Sequence, residues 1–104
     1  MKVVGCYNGS PNNRTGGGYG IRLTHEDRDR YFRRAWHFVT IELEEGNIIE
    51  VNLSKSFWRC CPELRKAEIG KWMLEHRLVP WQKGDPPKME MVHIRGNRFK
   101  VESR

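Results

Sequence analysis

Two polar segments of the chain carry side chains that could contact nucleic acid. The first, residues 8–19, is rich in Asn and Gly. Amide side chains can hydrogen-bond to adenine edges, and a guanidinium can bond to guanine or to a phosphate. The candidate contact residues of this segment are therefore Asn12, Asn13, Arg14 and Thr15. Gly16 to Gly18 would let the backbone approach a phosphate closely, although the same composition is typical of an ordinary flexible surface loop.

The second segment, residues 54–66, mixes hydroxyls, cations and aromatic rings. Its cations could contact phosphates or bases, and its hydroxyls could bind phosphate oxygens. Trp58 could stack on an unpaired base. One of Phe57 and Trp58 should instead belong to the core, and the sequence does not decide which. The candidate contact residues here are Ser54, Lys55, Ser56, Trp58 and Arg59.

Five arginines lie in and around a predicted first helix: Arg22, Arg28, Arg30, Arg33 and Arg34. Acidic residues at positions 26, 27 and 29 are interleaved with them. Much of this positive charge could therefore be neutralised on a solvated helix face. Arg33 and Arg34 lie beyond the acidic residues and could flank a phosphate backbone. We add Arg22, Arg33 and Arg34 to the candidate contact residues.

No motif indicates catalysis or a bound cofactor. Adjacent cysteines such as Cys60 and Cys61 rarely both bind one tetrahedral ion, and the chain has no C-x-x-C or H-x-x-x-H spacing. We expect Cys6, Cys60 and Cys61 to be small buried or half-buried thiols rather than metal ligands. The histidines are scattered, and no nucleophile-elbow motif occurs. The sequence therefore predicts no catalytic residue, no metal and no cofactor.

The composition indicates one domain, residues 1–104, with a small core under a charged surface. The hydrophobic fraction is 38% and the charged fraction 31%. A net charge of +6 favours a polyanionic partner such as DNA or RNA, although the same excess could simply aid solubility. The chain lacks an apolar run of roughly 18 residues and a secretory signal, and three cysteines do not make a disulfide framework. We expect an intracellular protein that does not contact a membrane.

Hydrophobic patterning predicts short strands and two helices. Alternating apolar residues over 36–43 and 48–53, separated by a Gly-containing turn, are typical of a β-hairpin. Thr24 is a suitable N-cap for a first helix, with Asp27 three positions later. Apolar residues spaced three and four apart predict a second, amphipathic helix over 67–77. With short strands near both ends, we expect an α+β, mostly β fold: a small open pseudobarrel of six to seven mainly antiparallel strands with two short helices.

The expected core consists of the apolar members of these patterns. They are Ile21, Leu23, Phe32, Val39, Ile41, Ile49, Val51, Ile69, Trp72, Met73, Leu78, Met91, Phe99 and Val101.

Four stretches together resemble one known fold. Residues 20–32 run from a short strand into a charged helix ending in Tyr-Phe, and 49–58 run from a strand into an aromatic-containing segment. Residues 69–74 form an apolar helix, and 78–91 contain a Leu, a Gly-Asp pair and a strand in that order. In these stretches the chain resembles the pseudobarrel DNA-binding domain of the plant B-three transcription factors. The recognition domain of some bacterial restriction endonucleases has the same fold.

The resemblance implies a non-catalytic domain that binds double-stranded DNA. The exposed loops 8–19 and 54–66 would then grip the duplex from two sides. Two other functions remain open. One is a small basic RNA-binding protein or toxin-like ribonuclease that uses His37, His76 or His93 as acid and base. The other is a protein-interaction domain with a Trp-rich contact surface. The sequence gives neither the recognised DNA sequence nor the oligomeric state.

Overall fold

A computed structural model of the chain describes residues 1–103. The elements are strand β1 (Lys2–Tyr7), strand β2 (Tyr19–Arg22), helix α1 (His25–Tyr31), strand β3 (Phe38–Glu44), strand β4 (Asn47–Asn52), helix α2 (Lys55–Arg59), strand β5 (Glu63–Arg65), helix α3 (Ala67–Glu75), strand β6 (Lys88–Arg95) and strand β7 (Arg98–Ser103). This mostly β arrangement confirms the fold class expected from the sequence.

The strands form one sheet of seven in the order β4-β3-β7-β6-β1-β2-β5. Strands β3 and β7 are parallel, and the other neighbours are antiparallel. The sheet curls until its edge strands β4 and β5 approach each other. Across this gap, which we call the seam, the Lys66 ammonium donates a hydrogen bond of 2.6 Å to the Glu50 carbonyl. The sheet is therefore a nearly closed barrel with one seam.

Local sequence signals account for the best-defined elements. The β3–β4 hairpin places Ile41 opposite Ile49 and Val39 opposite Val51, so that its apolar residues share the inner face. Gly46 takes a φ of 83° in the turn, where residues other than glycine are strained. At the start of α1, the Thr24 hydroxyl accepts a hydrogen bond from the Asp27 amide at 3.0 Å. The predicted hairpin and the predicted N-cap are both confirmed.

The core fills the barrel and extends under α3, which packs its apolar face over β2. Every residue expected in the core is buried except Leu78, which is half-buried. Val79 is buried in its place. Arg77 takes a left-handed φ of 57° just after α3, and this reverses the chain before Leu78 can turn inward.

The segment 54–66 differs from the long exposed loop expected from the sequence. It contains helix α2 and strand β5, so the fold has three short helices rather than two. The Ser54 hydroxyl caps α2 by accepting a hydrogen bond of 3.2 Å from the Phe57 amide. The Phe57 side chain is 1% exposed, and its burial draws the helix onto the barrel.

Across residues 1–103, no helix has the length and apolar character needed to cross a membrane. The longest, α3, has nine residues, against about 20 for a membrane span.

Candidate nucleic-acid interface

The first arm, residues 8–18, joins β1 to β2 and is folded by its own polar side chains. The Asn12 amide oxygen accepts hydrogen bonds from the backbone N–H groups of Arg14 and Thr15, at 2.8 and 3.1 Å. The Thr15 hydroxyl accepts one from the Gly17 amide at 3.2 Å. The polar atoms of Asn12 and Thr15 that could accept from a base therefore already stabilise the turn.

Two further contacts fasten the first arm to the barrel. The Tyr19 hydroxyl donates a hydrogen bond to the Asn13 amide oxygen. Gly16 lies against the backbone of Gly70 in α3, where a Cβ added to Gly70 would lie 1.8 Å from the Gly16 carbonyl oxygen. Two glycines are required at this crossing because neither backbone leaves room for a side chain.

Arg14 is the free contact candidate of the first arm. Among Asn12, Asn13, Arg14 and Thr15, it is the one whose side chain makes no hydrogen bond within residues 1–103. It is exposed and lines a shallow hollow beside α3 with Thr15, Lys71, Leu74 and Glu75. A guanidinium in this position can bond to a base edge or a phosphate without breaking an existing contact.

The second arm, residues 53–62, joins β4 to β5 and contains α2. Phe57 belongs to the core, whereas Trp58 is half-buried and reaches the surface. The rings meet edge to face, with centroids 5.1 Å apart and planes at 88°. The structure thus resolves which of the two aromatic rings is core.

Arg28 is a structural residue that the sequence analysis placed among solvated arginines. It is 6% exposed, and its guanidinium donates to the carbonyls of Phe57 and Trp58 at 3.1 and 3.0 Å. It also donates to the Asp29 carboxylate at 2.9 Å, which lowers the pKa of Asp29. Arg28 therefore ties α1 to the last turn of α2. No local pattern indicates this role, because the carbonyls lie 29 and 30 positions away in the chain.

A cationic hollow at α2 is lined by Arg34, Lys55, Trp58 and Arg59. Its volume is about 430 Å³. The Arg34 guanidinium lies 5.0 Å from the centre of the Trp58 ring, a cation–π contact that orients it. Arg34, Lys55 and Arg59 form no ion pair in the part of the chain that the structure describes. Three such cations beside one ring form a suitable place for a phosphate group.

Arg22 is in a different situation, since its charge is already compensated. Its guanidinium donates to the Glu63 carboxylate, with the Nε at 2.8 Å, and this hydrogen bond raises the pKa of Arg22. Arg65 donates to the other oxygen of the same carboxylate. The Glu63 side chain is 6% exposed and the Arg22 side chain 55%. Glu63, which the sequence analysis did not select, thus shares one negative charge between two arginines.

The two arms meet at one depression along the seam, which we call the seam hollow. Strand β5 is only three residues long and pairs with β2, so that the first arm lies near one of its ends and the second arm precedes the other. The hollow has a volume of about 420 Å³. Its lining comes from both arms and both edge strands: Asn8, Asn52, Ser54, Ser56, Cys61, Glu63 and Arg65.

The remaining candidates are Arg33, Ser54 and Ser56, of which the two serines line the seam hollow. Arg33 is exposed just after α1, and its carbonyl accepts from the Trp36 amide. Ser54 uses its hydroxyl to cap α2, whereas Ser56 is exposed at the seam hollow.

The cysteines divide into one buried thiol and two exposed ones. Cys6 is 4% exposed, and its burial raises the pKa of its thiol to about 11. Cys60 and Cys61 are exposed, so the expectation that they are buried or half-buried is wrong. They lie in the short connection between α2 and β5. Within residues 1–103, no group of three or more His, Cys, Asp and Glu side chains could hold a metal ion.

No histidine lines the seam hollow or the cationic hollow. Ring nitrogens of His25, His76 and His93 pair with the backbone carbonyls of Cys60, Trp72 and Gly96 at 3.0, 3.0 and 2.7 Å. His37 is exposed before β3.

Comparison with known proteins returns no match: no family model, no curated protein and no solved structure is significantly similar to this chain.

Proposed function

We propose that this chain is a non-catalytic domain that binds double-stranded DNA by gripping it with the two arms. The observation that carries the proposal is the seam hollow, because residues of both arms line it. Two loops that approach one depression from its two ends can contact a duplex on both sides. The resemblance of the sequence to the plant B-three domain also implies DNA-contacting arms in these two segments.

The distribution of charge supports the same partner. Arg14 lies free on the first arm, and Arg34, Lys55 and Arg59 lie unpaired beside α2. These cations are part of the net charge of +6 that the chain carries. Unpaired cations on a basic protein attract a polyanion and release its counterions on binding.

In this proposal the candidate residues have distinct roles. Arg14 contacts base edges, while Asn12, Asn13 and Thr15 shape the first arm that presents it. Lys55 and Arg59 hold phosphates or add base contacts, with Arg33, Arg34 and Ser56 beside them. Trp58 orients Arg34, and Arg22 contributes less because Glu63 compensates its charge. The domain would act inside the cell, where DNA is present and thiols stay reduced.

A second candidate, the protein-interaction domain, is supported by an aromatic surface next to the first arm. Tyr7, Pro11, Tyr19, Pro80 and Trp81 line a hollow of about 230 Å³, and Tyr7 is 50% exposed. Hollows lined by aromatic rings and prolines are suited to extended peptides. The ribonuclease alternative has less support, because no histidine lines either hollow of the arms.

A binding assay with three nucleic acids distinguishes these functions. The chain is titrated into random duplex DNA, single-stranded DNA and RNA at two salt concentrations, with cleavage followed in the same samples. The proposal predicts tightest binding to duplex DNA, weakening with salt and without cleavage. Preference for RNA, or RNA cleavage, would favour the RNA-binding or ribonuclease function. No binding to any of the three at low salt would favour protein interaction.

A further inference from the structure

Cys60 and Cys61 place their sulfur atoms 3.2 Å apart, at the end of α2. Successive side chains of an extended segment point to opposite sides. Here Cys60 has a φ of −144° and a ψ of −33°, outside the extended region, and both thiols lie on one side of the chain. The amide groups of both residues donate to the Ser56 carbonyl, at 3.0 and 2.9 Å, and this holds the pair in place.

Both thiols are open to reagents in solution, in contrast to Cys6. Cys60 and Cys61 are exposed, whereas Cys6 is buried below Glu63 and the arginines that flank it. No third metal-binding side chain joins the pair among the described residues. A pair of accessible sulfurs in contact, without a further ligand, is suited to oxidation rather than to metal binding.

We propose that Cys60 and Cys61 are a modification site that closes reversibly to a disulfide between neighbouring residues, with a small-molecule disulfide as the oxidant. The bonded S–S distance is about 2.0 Å, so the sulfurs must approach by about 1 Å. Adjacent Cα atoms are about 3.8 Å apart, below the usual range of 4.4–6.8 Å for disulfides. The closed form is therefore strained and easily reduced, as regulatory disulfides are.

The exchange proceeds in two balanced steps. One cysteine loses its proton, and its thiolate attacks a sulfur of the small disulfide, which forms a mixed disulfide and expels one small thiolate. The neighbouring cysteine then loses its proton and attacks the protein sulfur of the mixed disulfide. This forms the Cys60–Cys61 bond and expels the second small thiolate. Two protein thiols are oxidised, one small disulfide is reduced to two thiols, and the released protons pass to the expelled thiolates.

Closure would change the second arm, since the pair is part of it. Cys61 lines the seam hollow, and the Cys60 carbonyl pairs with His25 of α1. Drawing the sulfurs together rotates the peptide between them and disturbs these contacts. We infer that the oxidised form binds duplex DNA several-fold more weakly than the reduced form, an inference that rests on the proposed function.

Peptide mapping tests the modification without reference to DNA. The reduced protein is treated with oxidised glutathione, alkylated in denaturant and digested with trypsin, which cuts after Arg59 and Arg65 and so releases both cysteines in one peptide. The proposal predicts a peptide 60–65 that is unalkylated and lighter by two hydrogen atoms, restored by a thiol reductant. Cys6→Ala should give the same result, while Cys60→Ser and Cys61→Ser should not form it. Recovery of peptide 60–65 with two alkyl groups, with a stable glutathione adduct or cross-linked to a second chain would overturn the proposal.

Binding to duplex DNA in the same samples tests the coupling. We expect the oxidised parent to lose affinity several-fold and to recover it on reduction, while the double variant Cys60→Ser/Cys61→Ser keeps the same affinity under oxidising and reducing conditions. Equal affinity of the two forms of the parent would contradict the coupling and leave the modification standing. If the disulfide forms but neither form binds duplex DNA, the proposed function fails and the modification site remains.

Discussion

At the scale of single residues, Arg28 joins helix α1 to the second arm. Its buried guanidinium donates to two carbonyls at the end of α2, which have no helical partner further along the chain. Arg28→Ala should therefore lower the free energy of unfolding by about 2–3 kcal/mol, because two buried acceptors lose a charged donor. Urea denaturation of the parent and the variant measures the difference.

Arg30→Ala is the matched control, since Arg30 belongs to the same helix but is exposed. Its effect should stay within about 0.5 kcal/mol. Arg28→Lys should give an intermediate loss, because an ammonium lacks the planar fork that reaches both carbonyls. Equal stability of Arg28→Ala and Arg30→Ala would show that the bridge between α1 and α2 does not stabilise the fold.

Cys6 makes the stability of the fold depend on alkaline pH. Burial, reinforced by the Glu63 charge, raises the pKa of its thiol from 9.0 to about 11. Between these values the folded chain keeps the proton and the unfolded chain releases it, so that stability is complete below about pH 9 and falls as the pH rises to about 11. The contribution lost is roughly 2–3 kcal/mol, at about 1.4 kcal/mol for each pH unit.

Cys6→Ala removes this titration and should flatten the decline. The measurement is the urea midpoint of parent and variant at several pH values between about 8 and 11. Other groups that titrate in this range affect both proteins equally, so their effect cancels in the difference between the two urea midpoints. Parallel pH profiles would show that the Cys6 thiol ionises equally in the folded and unfolded chains.

Arg14 should determine sequence preference rather than overall affinity. The side-chain oxygens of Asn12, Asn13 and Thr15 accept hydrogen bonds that stabilise the first arm, whereas the Arg14 guanidinium is available for a base edge. Arg14→Ala should cost about 1–3 kcal/mol on the preferred duplex and much less on others, as loss of a bidentate base contact does. Selection from a random duplex library compares the preferences of parent and variant.

Lys71→Ala controls for the loss of one charge in the same hollow, which Lys71 and Arg14 line together. It should weaken all duplexes to a similar extent. An unchanged preference among duplex sequences in Arg14→Ala would show that Arg14 does not recognise bases.

At the scale of elements, the crossing of the first arm over α3 depends on a pair of glycines. In most exposed helices Gly→Ala stabilises by about 1 kcal/mol. Here Gly70→Ala would bring a Cβ to 1.8 Å from the Gly16 carbonyl oxygen, and backbone must move to relieve the clash. We expect a net loss of about 1–3 kcal/mol, typical of overpacking, together with faster tryptic cleavage at the displaced Arg14.

Denaturation and limited proteolysis measure the two effects. Lys71→Ala changes the next, exposed position of the same helix and should alter neither. A Gly70→Ala protein more stable than the parent would mean that the first arm does not rest on α3.

The elements that the sequence predicted well are those stabilised by near neighbours. The β3–β4 hairpin needs only its alternating pattern and Gly46, and α1 needs only the cap from Thr24. Helix α2 was not predicted because five residues show no helical period, and its support comes from Arg28 on another element. Strand β5 was missed for a similar reason, since its three residues pair with β2 about 40 positions earlier.

The sequence predicted where the candidate residues lie more successfully than it predicted what each side chain does. Placing the arms required only the order of the elements. Whether a polar side chain faces outward or stabilises its own loop depends on three-dimensional contacts, as Asn12 and Asn13 show. The compensation of Arg22 by Glu63 likewise depends on the pairing of β2 with β5, which no local pattern gives.

At the scale of the whole molecule, the proposed DNA binding depends on a barrel that brings the two arms to one seam. The strand opposite the seam is β6, the middle strand of the seven, and it carries Lys88, an exposed cation separated from each edge strand by two other strands. A duplex gripped at the seam should touch Lys55 and Arg59 but not Lys88. Position on the barrel, rather than charge alone, should then decide which cations matter.

The proposed grip at the seam is tested most directly by the salt dependence of duplex binding by Lys55→Ala, Arg59→Ala and Lys88→Ala, measured by fluorescence anisotropy. Each phosphate contact contributes about −0.9 to the slope of log affinity against log salt concentration. We predict that Lys55→Ala and Arg59→Ala each weaken binding and flatten the slope by about one, while Lys88→Ala retains the slope of the parent. Equal slopes for all four proteins, or a parent that does not bind duplex DNA at low salt, would contradict the proposal that this domain grips DNA at the seam.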